Sequence, residues 1–268
     1  MKNTLLLSAA VLAAIGLSAA DAQAVTLRSD TPSVKLVLKA GEKHSGTIGI
    51  QNPTEDTAIV KVYTEDWAYK TTGTGEKEFF VPGTLPESAA GWVGVSVPET
   101  VLPPFGKRDM VYTVAAPPSA VSGTYHAVLF FETVVGEQPE AEGASVLVTA
   151  RIGTIFVVEI AGTVKRSGQV ESLEISPPLE SKPAEFTVTF KNTGNADIEL
   201  KGNFMILDGQ GAAKGRGDLE SAFTQAGMSV QRKTTWAGRL EKGVYDLIFT
   251  FDLGEGAILS EERKMTVE

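Results

Sequence analysis

A pattern of alternating apolar and polar positions occurs twice in this chain. Residues 47–52 alternate and break at Asn52-Pro53, and residues 187–192 alternate and break at Asn192-Thr193-Gly194-Asn195. A second alternating run follows each break, with apolar residues at positions 58, 60 and 62 and at positions 198 and 200. Strand side chains repeat every two residues and Asn favours turns, so each copy predicts a strand, a turn and a second strand.

The downstream halves of the two copies also match. Tyr125 and Tyr245 each follow a Gly by two residues and open a late apolar run. Short predicted strands with turn residues between them fill the rest of the chain, which is typical of β-sandwiches. We therefore predict an all-β fold with two immunoglobulin-like β-sandwich domains in tandem. In this fold the two tyrosines suit the position where a hydroxyl ties down a neighbouring loop.

The domain boundary is predicted at a segment of small and basic residues. Residues 161–169 include two Gly, one Lys and one Arg, and follow the strongly β-branched stretch over residues 145–160. Such composition is typical of linkers. The predicted bounds are residues 25–162 for the first sandwich and 163–268 for the second, and the 268-residue length is sufficient for two cores.

The amino-terminal residues have the pattern of a signal peptide. Lys2 is followed by an apolar, small-residue stretch over residues 5–20 and by Ala22-Gln23-Ala24, an A-x-A cleavage pattern. Residues 1–24 are therefore predicted to be removed, which leaves an exported protein that starts at Val25. No later stretch reaches the ~20 apolar residues of a spanning helix. The chain contains no Cys, so disulfides cannot contribute to its stability.

Composition and motifs argue for binding rather than catalysis. The net charge of −9 argues against nucleic acid and anionic membranes as partners. The two histidines, His44 and His126, have no ligand-spaced neighbour and are predicted to lie at the surface or at a sheet edge. Nucleophile elbows and phosphate-binding loops are absent from the sequence. We expect a non-enzymatic protein without cofactor or metal.

The candidate binding element is the long β-branched segment over residues 144–160. Ala144, Val146, Val148 and Ile152 fall on one face of the predicted strand. Natural proteins usually blunt an apolar edge strand, whereas an open one can take up an extended partner by β-augmentation. The alternative is that this strand is fully covered inside its own sandwich, and the sequence leaves both possibilities open.

The first domain resembles the amino-terminal domain of the periplasmic pilus-assembly chaperones over residues 34–160. The resemblance is carried by residues 47–52, by residues 102–107 and by residues 146–152 ahead of Ile155-Phe156. It implies a periplasmic location and a protein partner, a pilus or surface-protein subunit. It also implies that Ala144, Val146 and Val148 are offered to a subunit that lacks one strand.

The same resemblance suggests where a subunit's terminal carboxylate would be held. In that family two basic residues in the cleft between the domains hold it. The matching positions here carry Leu36 and Gly153. Lys35, beside the first, and Arg151, two residues before the second, are therefore the candidate carboxylate anchors.

A second resemblance supports a different function. Residues 117–125 are similar to the first domain of certain Gram-positive surface proteins that bind cell-wall-associated partners. This implies the alternative of a structural or adhesive module, located outside the cell or on its surface, that binds wall or matrix components. The sequence alone leaves the partner's identity and the oligomeric state open.

Overall fold

The computed structural model describes residues 27–139, 145–179 and 182–268. The predicted signal peptide and Ala144 lie outside these ranges. Within them the chain forms strands and one short 3₁₀ turn, Ala90–Trp92: β1 Arg28–Ser29, β2 Ser33–Leu38, β3 Lys43–Gln51, β4 Ala58–Tyr69, β5 Lys77–Phe80, β6 Val93–Val95, β7 Glu99–Leu102, β8 Lys107–Ala115, β9 Thr124–Pro139, β10 Ser145–Ile160, β11 Gly168–Ser176, β12 Ala184–Asn192, β13 Ile198–Leu207, β14 Ala213–Thr224, β15 Ser229–Trp236, β16 Gly243–Asp252 and β17 Ile258–Val267.

The strands form two β-sandwiches. In the first, a sheet ordered β1-β3-β8-β6 faces a sheet ordered β2-β10-β9-β4-β5, in which β7 also pairs with β4. In the second, a sheet ordered β11-β12-β15 faces a sheet ordered β14-β13-β16-β17. Each sheet draws its strands either from β1–β10 or from β11–β17. The predicted all-β class with immunoglobulin-like sandwiches is confirmed.

The amino-terminal segment contributes to both sheets of the first sandwich. β1 pairs antiparallel with the end of β3, and Asp30 continues that pairing through its N–H to the carbonyl of Gly49. The chain then crosses to the other sheet, where β2 pairs parallel with β10 over residues 155–160. The point of crossing determines how many residues of β10 pair with β2 on the edge opposite β9.

Each sandwich has its own apolar core. Every second side chain of β12 is buried, so the apolar residues of the alternating sequence face the core and the others face away from it. The largest fully buried side chains of the first core are Phe131, Phe156, Ile48, Ile50, Leu102 and Met110, and those of the second are Phe186, Phe190, Phe204, Phe249 and Phe251.

The repeated Asn of the sequence pattern is a buried turn-forming residue in both sandwiches. Asn52 and Asn192 are both 0% exposed. The Asn52 amide donates to the carbonyls of Asp56 (2.6 Å) and Pro103 (3.1 Å), and its Oδ1 accepts from the Thr54 N–H (3.0 Å).

Asn192 repeats this arrangement in the second sandwich. Its amide donates to the carbonyl of Ala196 (2.8 Å), and its Oδ1 accepts from the Gly194 N–H (3.0 Å). Each side chain thus satisfies backbone groups of a buried turn, which explains why the same residue ends the alternating run in both copies.

The tyrosine prediction is confirmed in the second sandwich. The Tyr245 hydroxyl donates to the carbonyl of Glu241, four residues earlier, at 2.9 Å. Tyr125 packs its ring against Trp92 instead, with ring centroids 4.3 Å apart.

Asn52→Ala should lower the free energy of unfolding by about 1–3 kcal/mol, because it leaves buried backbone groups without partners. The measurement is chemical denaturation of the mature protein. Asn203→Ala is the matched control, since Asn203 is exposed on β13, and its effect should stay within about 0.5 kcal/mol. Equal effects of the two substitutions would contradict the role assigned to Asn52.

Candidate functional site: the open edge of β10

β10 is paired along its length on one side and only in its second half on the other. β9 pairs with it from Ser145 to Glu159, whereas β2 pairs only from Ile155 to Ile160. The Thr154 hydroxyl donates to the carbonyl of Thr31 at 2.6 Å, where the covered part begins. Within the part of the chain that the structure describes, no strand pairs with this edge of residues 145–154.

Backbone groups of alternate residues point toward this open edge. The Ile155 N–H donates to the Pro32 carbonyl on the β2 side (3.0 Å), whereas the Ile160 N–H donates toward β9, to the Gly123 carbonyl (3.0 Å). Because successive residues of a strand direct these groups to opposite sides, the N–H and C=O groups of Arg151 and Gly153 face the open edge. Thr149 follows the same alternation, next to a register shift between Val148 and Thr149. No described strand pairs with these main-chain donors and acceptors, and such groups can pair with an added strand.

The predicted binding side chains lie on the core-facing side of β10. Ile152 packs against the first core, Val148 is half-buried and Val146 is 44% exposed. Exposure thus increases from Ile152 toward Val146, as β10 extends away from the body of the sandwich. Leu147 lies on the opposite face and is 61% exposed, so it does not belong to the core.

Arg151 lies on the outer face of the sheet. Its guanidinium donates to Glu65 Oε1 (2.9 Å) and to the Tyr63 hydroxyl (3.3 Å) on β4. It also lies over the ring of Phe130, 4.1 Å from the centroid. These contacts direct the charge across β9 toward β4 and away from the open edge.

The structure does not bring the two candidate carboxylate anchors together. Lys35 is in register with Val157, six residues beyond Arg151 on β10. At ~3.3 Å per residue, their positions are about 20 Å apart along the strand. Lys35 lines the cleft between the two sandwiches, and Arg151 does not.

The cleft is a cavity of about 460 Å³ with more carboxylates than cations. Its ionisable lining consists of Glu159, Asp197, Glu199, Asp252 and Glu255 against Lys35, Arg166 and Lys201, together with Tyr69. The Arg166 guanidinium contacts both Glu159 (2.5 Å) and Glu255 (2.7 Å). Of the two predicted anchors, only Lys35 lines the cleft, so it is the better placed to meet a carboxylate there.

Tyr69 lines both this cleft and a second cavity at the junction. Burial, together with the nearby carboxylates of Asp197 and Glu199, raises the pKa of Tyr69 to about 12. The phenol therefore stays neutral at physiological pH and can act as a hydrogen-bond donor.

The prediction for His126 is wrong, because this histidine is buried and paired. Its Nε2 lies 2.9 and 3.0 Å from the two carboxylate oxygens of Asp197 in the second sandwich. Trp67 packs against the imidazole, with ring centroids 4.8 Å apart. Asp197 lies 71 residues away in sequence, so no local spacing could indicate the pair.

The loop between β4 and β5 ties the first sandwich to the second. The Arg232 guanidinium donates to the carbonyls of Thr72 (2.9 Å) and Gly73, and the Phe223 N–H donates to the Gly73 carbonyl (3.0 Å). Gly73 has φ of 66°, a left-handed conformation that favours Gly. These bonds and the His126–Asp197 contact connect the two sandwiches.

The chain was compared with protein-family models, curated proteins and solved structures. No protein-family model and no curated protein matches the chain. Among solved structures it is similar to the class 5 fimbriae chaperone CfaA, with 14% identity, 88% of this chain and 98% of that chain covered, and a TM-score of 0.48. It is also similar to the CsuC–CsuE complex of a chaperone and a tip adhesion subunit from Acinetobacter baumannii, with 11% identity, 89% of this chain and 97% of that chain covered, and a TM-score of 0.42. A third similar structure is the Salmonella enterica SafA pilin in complex with the SafB chaperone, with 10% identity, 90% of this chain and 96% of that chain covered, and a TM-score of 0.40. In the described ranges, no helix has the length and apolar character needed to cross a membrane.

Ile152→Ala should lower the free energy of unfolding by about 2 kcal/mol, because Ile152 contributes to the first core. Leu147→Ala, on the exposed face of the same strand, should change it by no more than about 0.5 kcal/mol. Thermal or chemical denaturation of the two variants makes the comparison. A larger effect at Leu147 than at Ile152 would reverse the assignment of the two faces.

Proposed function

We propose that this protein is an exported, chaperone-like binding protein that captures an extended segment of a pilus or surface-protein subunit by β-augmentation. The observation that carries the proposal is the open edge of β10, where residues 145–154 have a strand partner on one side only among residues 27–139, 145–179 and 182–268. An incoming strand placed there would continue the line of β2 along the sheet. The proposed function is binding, without a catalytic step.

The open edge lacks the usual protections of an exposed strand. Natural edges are shortened, bulged, or carry inward-pointing charges or Pro. Here Val146, Val148 and Ile152 occupy the core-facing side, and no Pro occurs between Ser145 and Ile160. A register shift between Val148 and Thr149 is the one irregularity. An apolar edge of this length is therefore expected to have a partner.

Affinity and register would come from different parts of the strand. Main-chain groups of Thr149, Arg151 and Gly153 would pair with the captured segment regardless of its sequence. Val146 and Val148 would select apolar residues at every second position, and burial of each would contribute on the order of 1–2 kcal/mol. Ala144 is proposed to extend this row.

The cleft would receive the end of the captured segment. Lys35 would be the cation closest to a terminal carboxylate there, whereas Arg151 would contribute only along the edge, about 20 Å away. The domain bounds proposed for this arrangement are residues 25–162 and 163–268. The place of action proposed for it is the periplasm.

Arg151→Pro should weaken subunit capture about tenfold or more, because it removes an edge-facing N–H and places a ring in the path of the incoming strand. Arg151→Ala is the matched control, since it removes the same side-chain contacts and keeps the N–H. The measurement is co-purification of periplasmic proteins with tagged variants, together with hydrogen exchange at residues 145–154. Equal capture by the Ala and Pro variants would contradict pairing at this edge.

Val148→Asp tests the side-chain contribution separately. It should abolish capture while the protein stays folded, because Val148 is only half-buried. Leu147→Asp, on the outer face, should leave both the fold and capture in place. If Val148→Asp unfolds the domain, Val148 belongs to a closed core and the open-edge proposal is wrong. Recovery of the protein outside the cell, attached to wall or matrix, would instead favour the surface-module alternative.

A further inference from the structure

The turn after β12 joins the two sandwiches through one residue, Asn195. Its main-chain oxygen accepts a hydrogen bond from the N–H of Thr124, the first residue of β9 (3.0 Å). Its side-chain amide donates to the carbonyl of Thr163 in the linker (3.0 Å), and its Oδ1 accepts from the N–H of Lys165 (2.6 Å). The Asn195 N–H donates to the Lys165 carbonyl (3.0 Å). All four polar groups of this residue are therefore used where the two sandwiches meet.

The duplicated turn of the first sandwich shows that the turn itself does not require Asn at this position. Asn52 and Asn192 organise the two turns through the same two hydrogen bonds: the amide donates to the carbonyl four residues later, and Oδ1 accepts from the N–H two residues later. Asn195 thus corresponds to Glu55, which is exposed. Because the equivalent turn forms with Glu, the Asn at position 195 serves the contact between the sandwiches and not the fold of its own turn.

The duplicated Gly that precedes each late tyrosine differs at the same contact. Gly123 has φ of 94°, a left-handed conformation, and a Cβ at this residue would collide with the carbonyl oxygen of Asn195. Its counterpart Gly243 lacks a positive φ, and a Cβ there would lie 3.6 Å from the Tyr245 ring, an ordinary van der Waals distance. Of the two glycines, the one that meets Asn195 is therefore the one that cannot carry a side chain.

These contacts connect both parts of the proposed binding site. β9, which begins at Thr124, pairs with β10 along the whole of its open edge. Asp197, Ile198 and Glu199 line the cleft and follow Asn195 closely in the chain. Asn195 therefore links the strand next to the open edge with one wall of the cleft.

We propose that Asn195 is a positioning residue for the capture of an extended partner: it holds the cleft wall at a fixed distance from the open edge of β10, so that one segment can occupy both. A segment that binds at two places gains most affinity when their separation is fixed in advance. This inference rests on the proposed function, because the segment must pair with the edge. Each sandwich has its own core, so loss of the Asn195 contacts should change the relation between the sandwiches and leave each of them folded.

The first test measures the relation between the sandwiches without a ligand. Since the chain has no Cys, spin labels can be placed by Lys61→Cys on β4 and Asn203→Cys on β13, both exposed positions, and their distance distribution measured by double electron–electron resonance. Asn195→Glu, which gives the turn the residue of the first copy, should broaden or shift this distribution. Glu55→Asn, the converse exchange, should leave it unchanged. An unchanged distribution in Asn195→Glu, or an equal change in Glu55→Asn, would overturn the proposal.

A pair of glycine substitutions tests the same contact from the first sandwich. Gly123→Ala should change the distance distribution as Asn195→Glu does, because the added Cβ displaces the Asn195 carbonyl. Gly243→Ala is the matched control and should leave the distribution as in the wild type, since its position has room for a Cβ. The pair decides the question if Asn195→Glu fails to fold. If Gly123→Ala keeps the wild-type distribution, the Asn195 contacts do not fix the relation between the sandwiches.

The second test uses three fluorescent peptides and separates this inference from the proposed function. The short peptide has ten residues of alternating Val and Thr, matched to residues 145–154, and two longer versions carry five more residues at one end or the other. Five residues span about 16 Å, which reaches from the end of the open edge to the level of Glu159 in the cleft. One longer peptide should bind the wild type about tenfold more tightly than the short one. Asn195→Glu should remove that advantage and bind the short peptide as before.

The outcomes distinguish the two proposals. If the short peptide does not bind the wild type, the proposed function fails, and the positioning role fails with it. If the short peptide binds and neither longer peptide gains affinity, or if the gain persists in Asn195→Glu, the positioning role is wrong and the proposed function stands. Equal weakening of all three peptides in Asn195→Glu would indicate a general loss of structure and would also refute the positioning role.

Discussion

The crossing of the amino-terminal segment from one sheet to the other is the constraint on which the rest of the first sandwich depends. β1 and Asp30 complete the edge of β3, and β2 then covers β10 only from residue 155 onward. Pro32 stands at the crossing, where its carbonyl accepts from the Ile155 N–H and its own nitrogen has no proton to satisfy. Because the segment is divided between the two sheets, β10 has no second strand partner before residue 155 within the described part of the chain.

The second constraint is the rigid tie between the sandwiches. A cleft can orient a captured segment only if its two walls keep a fixed relation. Here the tie consists of main-chain carbonyls at Thr72 and Gly73, the buried pair of His126 and Asp197, and the bond from the Tyr69 N–H to Gln225. Most of these groups are buried or half-buried, where losing a partner is costly, so the junction resists opening.

The sequence was sufficient to predict the features that are local in the chain. The alternating runs ending at Asn52 and Asn192 correspond to real strands that end in buried Asn turns, because period-2 burial and turn chemistry act over a few residues. The shared face of Val146, Val148 and Ile152 was predictable for the same reason. The exposure of each of these side chains could not be predicted, because it depends on where β2 begins to pair with β10.

Features that join distant segments could not be read from the sequence. His126 meets Asp197 across 71 residues, and the separation of Lys35 from Arg151 follows from the parallel register of β2 with β10. The charges in the cleft explain why the separation of Lys35 from Arg151 matters for the proposed function. With Arg166 held by Glu159 and Glu255, a carboxylate entering the cleft would meet Lys35 among several acidic groups. Under the proposed function, electrostatic anchoring in the cleft would therefore contribute little, and main-chain pairing with the apolar side chains of β10 would supply most of the affinity for an extended partner.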